Sequence, residues 1–133
     1  MQEANSALTE DAFLGGRLRL LQPVQGYRAG VDPVLLAASV PAKSGQRVLD
    51  LGCGVGAALF CLGCRVPGLS LTGIELQPIY ADCARRNALS NNIEAKVVQA
   101  DLSKLPPEIR QMRYHHVLAN PPYFLRENGT PAS

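Results

Sequence analysis

The stretch that constrains this chain most is "DLGCGVGA", Asp50 to Ala57, which carries glycines at 52, 54 and 56. It closes a short apolar run that starts at Arg47. Glycine permits positive φ and lets backbone approach a ligand closely. A helix opening on such a loop points its free N–H groups at the same place. Strand, glycine turn and helix in that order form the first unit of a doubly wound α/β sheet. Glu75 ends the next apolar run, nineteen residues after Gly56. A carboxylate there can accept both hydroxyls of a ribose.

The rest of the chain repeats this alternation. Strands are predicted over Arg47–Gly52, Leu69–Leu76, Ala95–Asp101 and His115–Asn120. These runs are β-branched and apolar without strict alternation, which suits parallel strands covered by helices on both faces. Helices are predicted from Val55 to Arg65 and from Gln77 to Ser90, the second with Pro78 in its first turn. Its apolar positions Ile79, Cys83 and Leu89 are only loosely helical in spacing, and Asn91 and Asn92 tolerate the left-handed turn that ends it. The crossover Pro106–Tyr114 has room for one helical turn. Upstream, Asp32 reads as the N-cap of a helix to Val40, with Pro33 at its first position. "RLRLLQP", Arg17 to Pro23, alternates as a strand does, and suits a hairpin over the domain's face. The fold class is therefore α/β: a partial, Rossmann-like, doubly wound parallel sheet. Right-handed crossovers give the strand order 3-2-1-4, with ligands at the switch between strands 1 and 4.

The loop satisfies two patterns. With Ala57 it reads G-x-G-x-x-A, a dinucleotide fingerprint. With Asp50 it reads D-x-G-x-G-x-G, which resembles motif I of class I S-adenosylmethionine (SAM) methyltransferases. A pyrophosphate is an anion and disfavours a carboxylate close by, whereas SAM carries a sulfonium and an ammonium. Asp50 therefore favours SAM. The resemblance implies that Asp50, Gly52, Gly54, Gly56 and Glu75 cradle that cofactor. It also implies that Asp101, at the end of strand 3, accepts a hydrogen bond from the adenine amino group. Read alone, Asp101 equally suits a turn cap.

Strand 4 runs into Asn120-Pro121-Pro122-Tyr123. A planar amine has its lone pair delocalised and is a poor nucleophile. Two acceptors on its two hydrogens can aim that lone pair at a methyl carbon and favour a pyramidal transition state. The Asn120 side-chain oxygen and the Pro121 carbonyl supply such acceptors, and the prolines restrict the loop. Tyr123 offers a flat face for stacking. The alternative is a plain strand terminator. N-P-P-Y at this place resembles motif IV of amino-methyltransferases acting on adenine, guanine or glutamine nitrogens. "GYRAGVDPVLLAA", Gly26 to Ala38, resembles the N-terminal signature of bacterial valine-tRNA adenine-N6 methyltransferases through Arg28, Gly30, Asp32, Leu35 and Leu36. The resemblance spans about Phe13 to Phe124. It implies that the segment from Arg28 to Asp32 lies over the cofactor's methionine end. Arg28 then pairs with either the cofactor carboxylate or RNA phosphate, and Asp32 either contacts the cofactor or only caps its helix.

What the resemblance implies is an enzyme: a SAM-dependent N-methyltransferase acting on an RNA base, adenine N6 in tRNA. Protein-glutamine and rRNA guanine-N2 methyltransferases are the alternatives, although only 46 residues precede Arg47, few for the helical domain of the former. From another class come a SAM-binding module without turnover and a nicotinamide dehydrogenase, which has no use for N-P-P-Y. The expected organisation is a strand and helix cap over 1–45, an α/β core over 46–124 and a mobile tail over 125–133. Methyltransferases of this class have seven strands and four are found here, so the chain reads as an N-terminal portion. Strand 4 would then be an apolar edge open to self-association.

Composition adds exclusions. A formal charge of +2 neither favours nor opposes nucleic acid. No apolar run reaches transmembrane length, and the polar, acidic N-terminus lacks a signal peptide's pattern, so a cytoplasmic protein is expected. Cys61 and Cys64 form a C-x-x-C without a second pair at zinc spacing, and His115 and His116 face opposite sides of a strand. No metal site is expected.

Overall fold

The computed structural model of the chain describes residues 7–25 and 29–119. A β-hairpin comes first: β1 (Leu8–Phe13) pairs antiparallel with β2 (Leu18–Pro23). A tight turn over Leu14–Gly16 joins them, with Leu14, Gly15 and Gly16 all at positive φ. α1 (Val31–Ser39) follows, then a parallel sheet with crossover helices: β3 (Arg47–Leu51), α2 (Ala57–Arg65), β4 (Ser70–Glu75), α3 (Pro78–Ser90), β5 (Ala95–Gln99), a single turn α4 (Pro107–Arg110) and β6 (His116–Ala119). The sheet order is β5-β4-β3-β6, all parallel, which is the expected 3-2-1-4.

The hairpin is built by alternation. Leu18 and Leu20 of β2 point into the core and are fully buried, while Arg19 points outward and pairs with Glu10 at 2.9 Å. The strand β1 was not legible beforehand because "LTEDAF" carries two adjacent acidic residues, Glu10 and Asp11, at its centre. Its charges have local uses: Asp11 accepts from Gln22 at 3.0 Å and from Thr9 at 2.9 Å.

The main core lies on one face of the sheet. Val48, Leu71 and Leu118 meet Leu59, Phe60 and Leu62 of α2, with Leu18 and Leu20 closing the layer. Arg65 ties α2 to α1 through the Ala37 and Val40 carbonyls. Helices on both faces were expected. Among the described residues the second face instead carries a smaller cluster, Leu49 and Ile74 under Ile109 of α4, with Leu105 and Tyr114 beside it. Val117 of β6 is 55% exposed on that side.

Two local expectations are corrected. α1 starts at Val31 with Gly30 in the N-cap position, so Asp32 lies in the first turn and is not the N-cap. In α3, Leu89 is 79% exposed and belongs to no core, while Cys83 is buried as expected. No helix among the described residues is long and apolar enough to cross a membrane.

Candidate functional site

The glycine loop leaves β3 at the carboxyl end of the sheet, where a parallel α/β sheet opens its crevice. Gly52, Gly54 and Gly56 all have positive φ, at 76°, 59° and 96°. Side chains would be strained at each. A methyl group placed on Gly52 or Gly54 meets no protein atom within 4 Å, so that surface stays open to a ligand. Gly56 differs: a Cβ there would lie 2.2 Å from the Phe60 ring, so its glycine serves packing as well as conformation.

The loop is anchored to β4. The Gly52 and Cys53 N–H groups donate to the Ile74 carbonyl at 2.8 and 2.9 Å. The Gly54 N–H donates to Glu75 Oε1 at 2.8 Å, and the Gln77 N–H to Glu75 Oε2 at 3.0 Å. Glu75 is thus at the site and shapes it, a role beyond the expected one. Each carboxylate oxygen still has a second lone pair to offer a hydroxyl. Gly73 was missed beforehand. A Cβ on it would lie 2.7 Å from the Cys53 sulfur, so the loop can settle on β4 only above a glycine. A glycine inside a strand run was the available signal.

Asp50 carries the electrostatics. It is 1% exposed, and its Oδ1 has no hydrogen-bond partner among the described residues. Burial, with the nearby Glu75 charge adding, pushes its carboxyl up to about 7. A buried carboxylate with an unmatched oxygen beside a second carboxylate is stabilised by any cation that enters. The donor set therefore fits a positively charged ligand and opposes a pyrophosphate. The Cys53 thiol is pushed well up by burial and then by Asp50 and Glu75, which makes it unreactive. Burial likewise pushes Cys61 up to about 11.

Asp101 stands just beyond β5 and is exposed. Its Oδ1 accepts from both the Ser103 N–H and hydroxyl at 2.9 Å, capping the turn Leu102–Lys104. The bonds to Ser103 hold its carboxyl below the usual carboxylate range. Turn cap and carboxylate acceptor are compatible, since Oδ2 is not needed for the cap. Asp32 is exposed on the first turn of α1.

On the other side of the loop, β6 runs parallel to β3 and ends with Ala119 opposite Leu51. The strand that leads to Asn120 therefore ends one residue from Gly52. The assignments to Arg28, Asn120, Pro121 and Tyr123 lie outside the described residues. The two histidines have structural partners: His115 Nδ1 accepts the Arg47 N–H, and His116 Nε2 meets Gln46 Oε1, both at 2.9 Å. No cluster of metal-ligating side chains occurs among the described residues.

Residues 29–131 match the profile of a family described as methyltransferase small domain. A curated relative from Porphyromonas gingivalis, named tRNA1(Val) (adenine(37)-N6)-methyltransferase, is 37% identical over 122 residues, covering 86% of this chain and 48% of that protein. The protein of the same name from Yersinia enterocolitica is 35% identical over 100 residues, covering 73% and 39%. The chain thus spans about half the length of the curated relatives it matches, or less. Among solved structures, the 16S rRNA N2 G1207 methyltransferase of T. thermophilus, in complex with AdoMet and guanosine, superposes with a TM-score of 0.68 at 20% identity, over 88% of this chain and 33% of that one. The tRNA (uracil-54, C5)-methyltransferase of Pyrococcus abyssi gives 0.67 at 23% identity, over 86% and 28%. These two likenesses bear on the fold, a Rossmann-like methyltransferase sheet.

Proposed function

Because the chain belongs to the methyltransferase small-domain family, we propose that it is the cofactor-binding portion of a SAM-dependent N-methyltransferase that acts on the N6 amino group of a tRNA adenine. The observation that carries the reading is the meeting of three elements at one sheet end. The glycine loop opens there, Glu75 anchors it, and β6 ends there at Ala119, paired with Leu51, just before Asn120 in the sequence. The names of the curated relatives support tRNA as the substrate; a tRNA substrate in turn suits a cytoplasmic setting.

In this reading Glu75 takes ribose hydroxyls with its free lone pairs. Asp50 matches the positive charge of the cofactor's methionine end, together with the segment from Arg28 to Asp32. Asp101 accepts from the adenine amino group through the oxygen that its turn leaves over. When bound, SAM supplies an activated methyl carbon, so no strong base is needed. Asn120 and Pro121 accept the two hydrogens of the target amine and orient its lone pair. Tyr123 stacks on the base, a contact worth about 1–3 kcal/mol. A base in an RNA loop is already partly unstacked, which makes its extrusion cheap.

The test is methyl transfer from labelled SAM to unmodified valine tRNA, with this chain beside a C-terminally extended version and its Asn120→Ala variant. Label in the N6 position with the extended version, lost by about 10²-fold or more in Asn120→Ala, supports the reading. Label on a guanine or on protein glutamine instead would replace it.

A further inference from the structure

The glycine loop is also held by a side chain of α3. Asn87 sits in the last turn of α3 and is 0% exposed. Its Oδ1 accepts the Leu21 N–H at 2.7 Å, and its Nδ2 donates to the Leu21 carbonyl at 3.1 Å. The amide thus pairs with β2 as a neighbouring strand would. Nδ2 also donates to the Val55 carbonyl at 3.0 Å, inside the glycine loop. Three segments distant in sequence converge on one amide.

The consequence falls on the Val55–Gly56 peptide. Its carbonyl is held by Asn87, and its N–H donates to the Cys53 carbonyl at 2.9 Å. Gly56, at φ 96°, has the freedom to turn that peptide over. The Asn87 bond, from outside the loop, adds to the Cys53 bond within it in holding that orientation, and with it the direction of the N–H groups that open α2. Asn91, one turn later, makes the same strand-like pair: its Oδ1 accepts the Arg19 N–H at 3.0 Å and its Nδ2 donates to the Arg19 carbonyl at 2.8 Å. Its remaining contacts are within its own helix, to the Asn87 carbonyl and Ser90. Asn91 docks the hairpin only; Asn87 docks the hairpin and sets the loop.

We propose that Asn87 is a positioning residue for the cofactor loop, fixing the Val55–Gly56 peptide through a bond that depends on the hairpin being docked on α3. The link to a cofactor rests on the function proposed above; the control of the loop does not.

The experiment compares Asn87→Ala with Asn91→Ala. Amide hydrogen exchange in the ligand-free proteins is read at Gly56, and SAM affinity by calorimetry. Both variants should lose stability. Only Asn87→Ala should speed Gly56 exchange relative to the global unfolding rate, by about tenfold or more. It should also weaken SAM binding by about tenfold, with Asn91→Ala within about twofold of the wild type. Equal Gly56 exchange in the two variants would overturn the inference. Unchanged affinity in Asn87→Ala, with the wild type binding, would overturn its link to the cofactor. If the wild type takes up no SAM, the proposed function fails while Gly56 exchange still decides the loop's control. Should Asn87→Ala not fold, native-state exchange of the wild type decides: Gly56 and Leu21 opening as one unit supports the inference, and independent opening contradicts it.

Discussion

Glu75 Oε1 accepts the Gly54 N–H at 2.8 Å, so the last residue of β4 holds the turn that leaves β3. Its second oxygen accepts the Gln77 N–H at 3.0 Å, ahead of α3. One carboxylate therefore fixes the exits of two neighbouring strands. Hydrogen bonds to a charged group contribute about 1.5–3 kcal/mol each. Glu75→Ala removes both bonds and should lower stability by at least the value of one, about 1.5–3 kcal/mol, in urea unfolding, and should weaken SAM binding as well. A loss of affinity with unchanged stability would mean that Glu75 meets the ligand but does not shape the loop.

Asp50 makes the ligand-free protein sensitive to pH. Its carboxyl is raised to about 7 by burial and by Glu75, above its ordinary value in an unfolded chain. Between those two values the folded state holds more protons than the unfolded state. Stability from this group is greatest at low pH and falls as pH rises through the window, levelling off above about 7. Asp50→Asn should therefore stabilise the ligand-free protein by about 1–3 kcal/mol at pH 8, with the gain shrinking toward pH 4. The same variant should bind SAM less tightly, because the charge that meets the cation is gone. Melting temperatures across pH 4–8 and calorimetry check the two halves.

Gly56 is constrained twice, by φ 96° and by the Phe60 ring 2.2 Å from where a Cβ would be. Gly56→Ala should cost about 2–4 kcal/mol, as strain and overpacking add. Phe60→Leu in that background should recover part of the loss, since it relieves the clash and not the backbone. No recovery would place the whole effect in the backbone.

The β6 edge is proposed as a route to self-association. Among the described residues β6 pairs only with β3, and Val117 is exposed beside that edge. An unpaired, apolar edge invites another strand. Light scattering of the 133-residue chain should show mass above the monomer, reduced in Val117→Lys. A monodisperse monomer at high concentration is the contrary result.

The sheet was legible because its signals are local and strong. Apolar runs ending in glycine or acid, separated by helix-length segments, leave few topologies once crossovers are right-handed. Pro78 marked the start of α3, and Asn92, at φ 56°, takes the left-handed turn after it. Asn87 was not legible. An asparagine in a helical run reads as neutral, and its importance comes from Leu21 and Val55, far away in sequence. β1 was hidden for a related reason, since both of its acidic residues find partners across the hairpin, Glu10 in Arg19 and Asp11 in Gln22. Asp32 misled because an aspartate before Pro33 reads as a cap, whereas the helix takes in Val31 first. The role of Glu75 was half legible: spacing marked it for a ligand, and only the fold shows it holding Gly54.

The most direct measurement is calorimetric titration of this chain with S-adenosylmethionine, with NADH in parallel. The account predicts one-to-one binding of S-adenosylmethionine, weakened in Glu75→Ala and in Asp50→Asn, and no binding of NADH. Binding of NADH without binding of S-adenosylmethionine would contradict it.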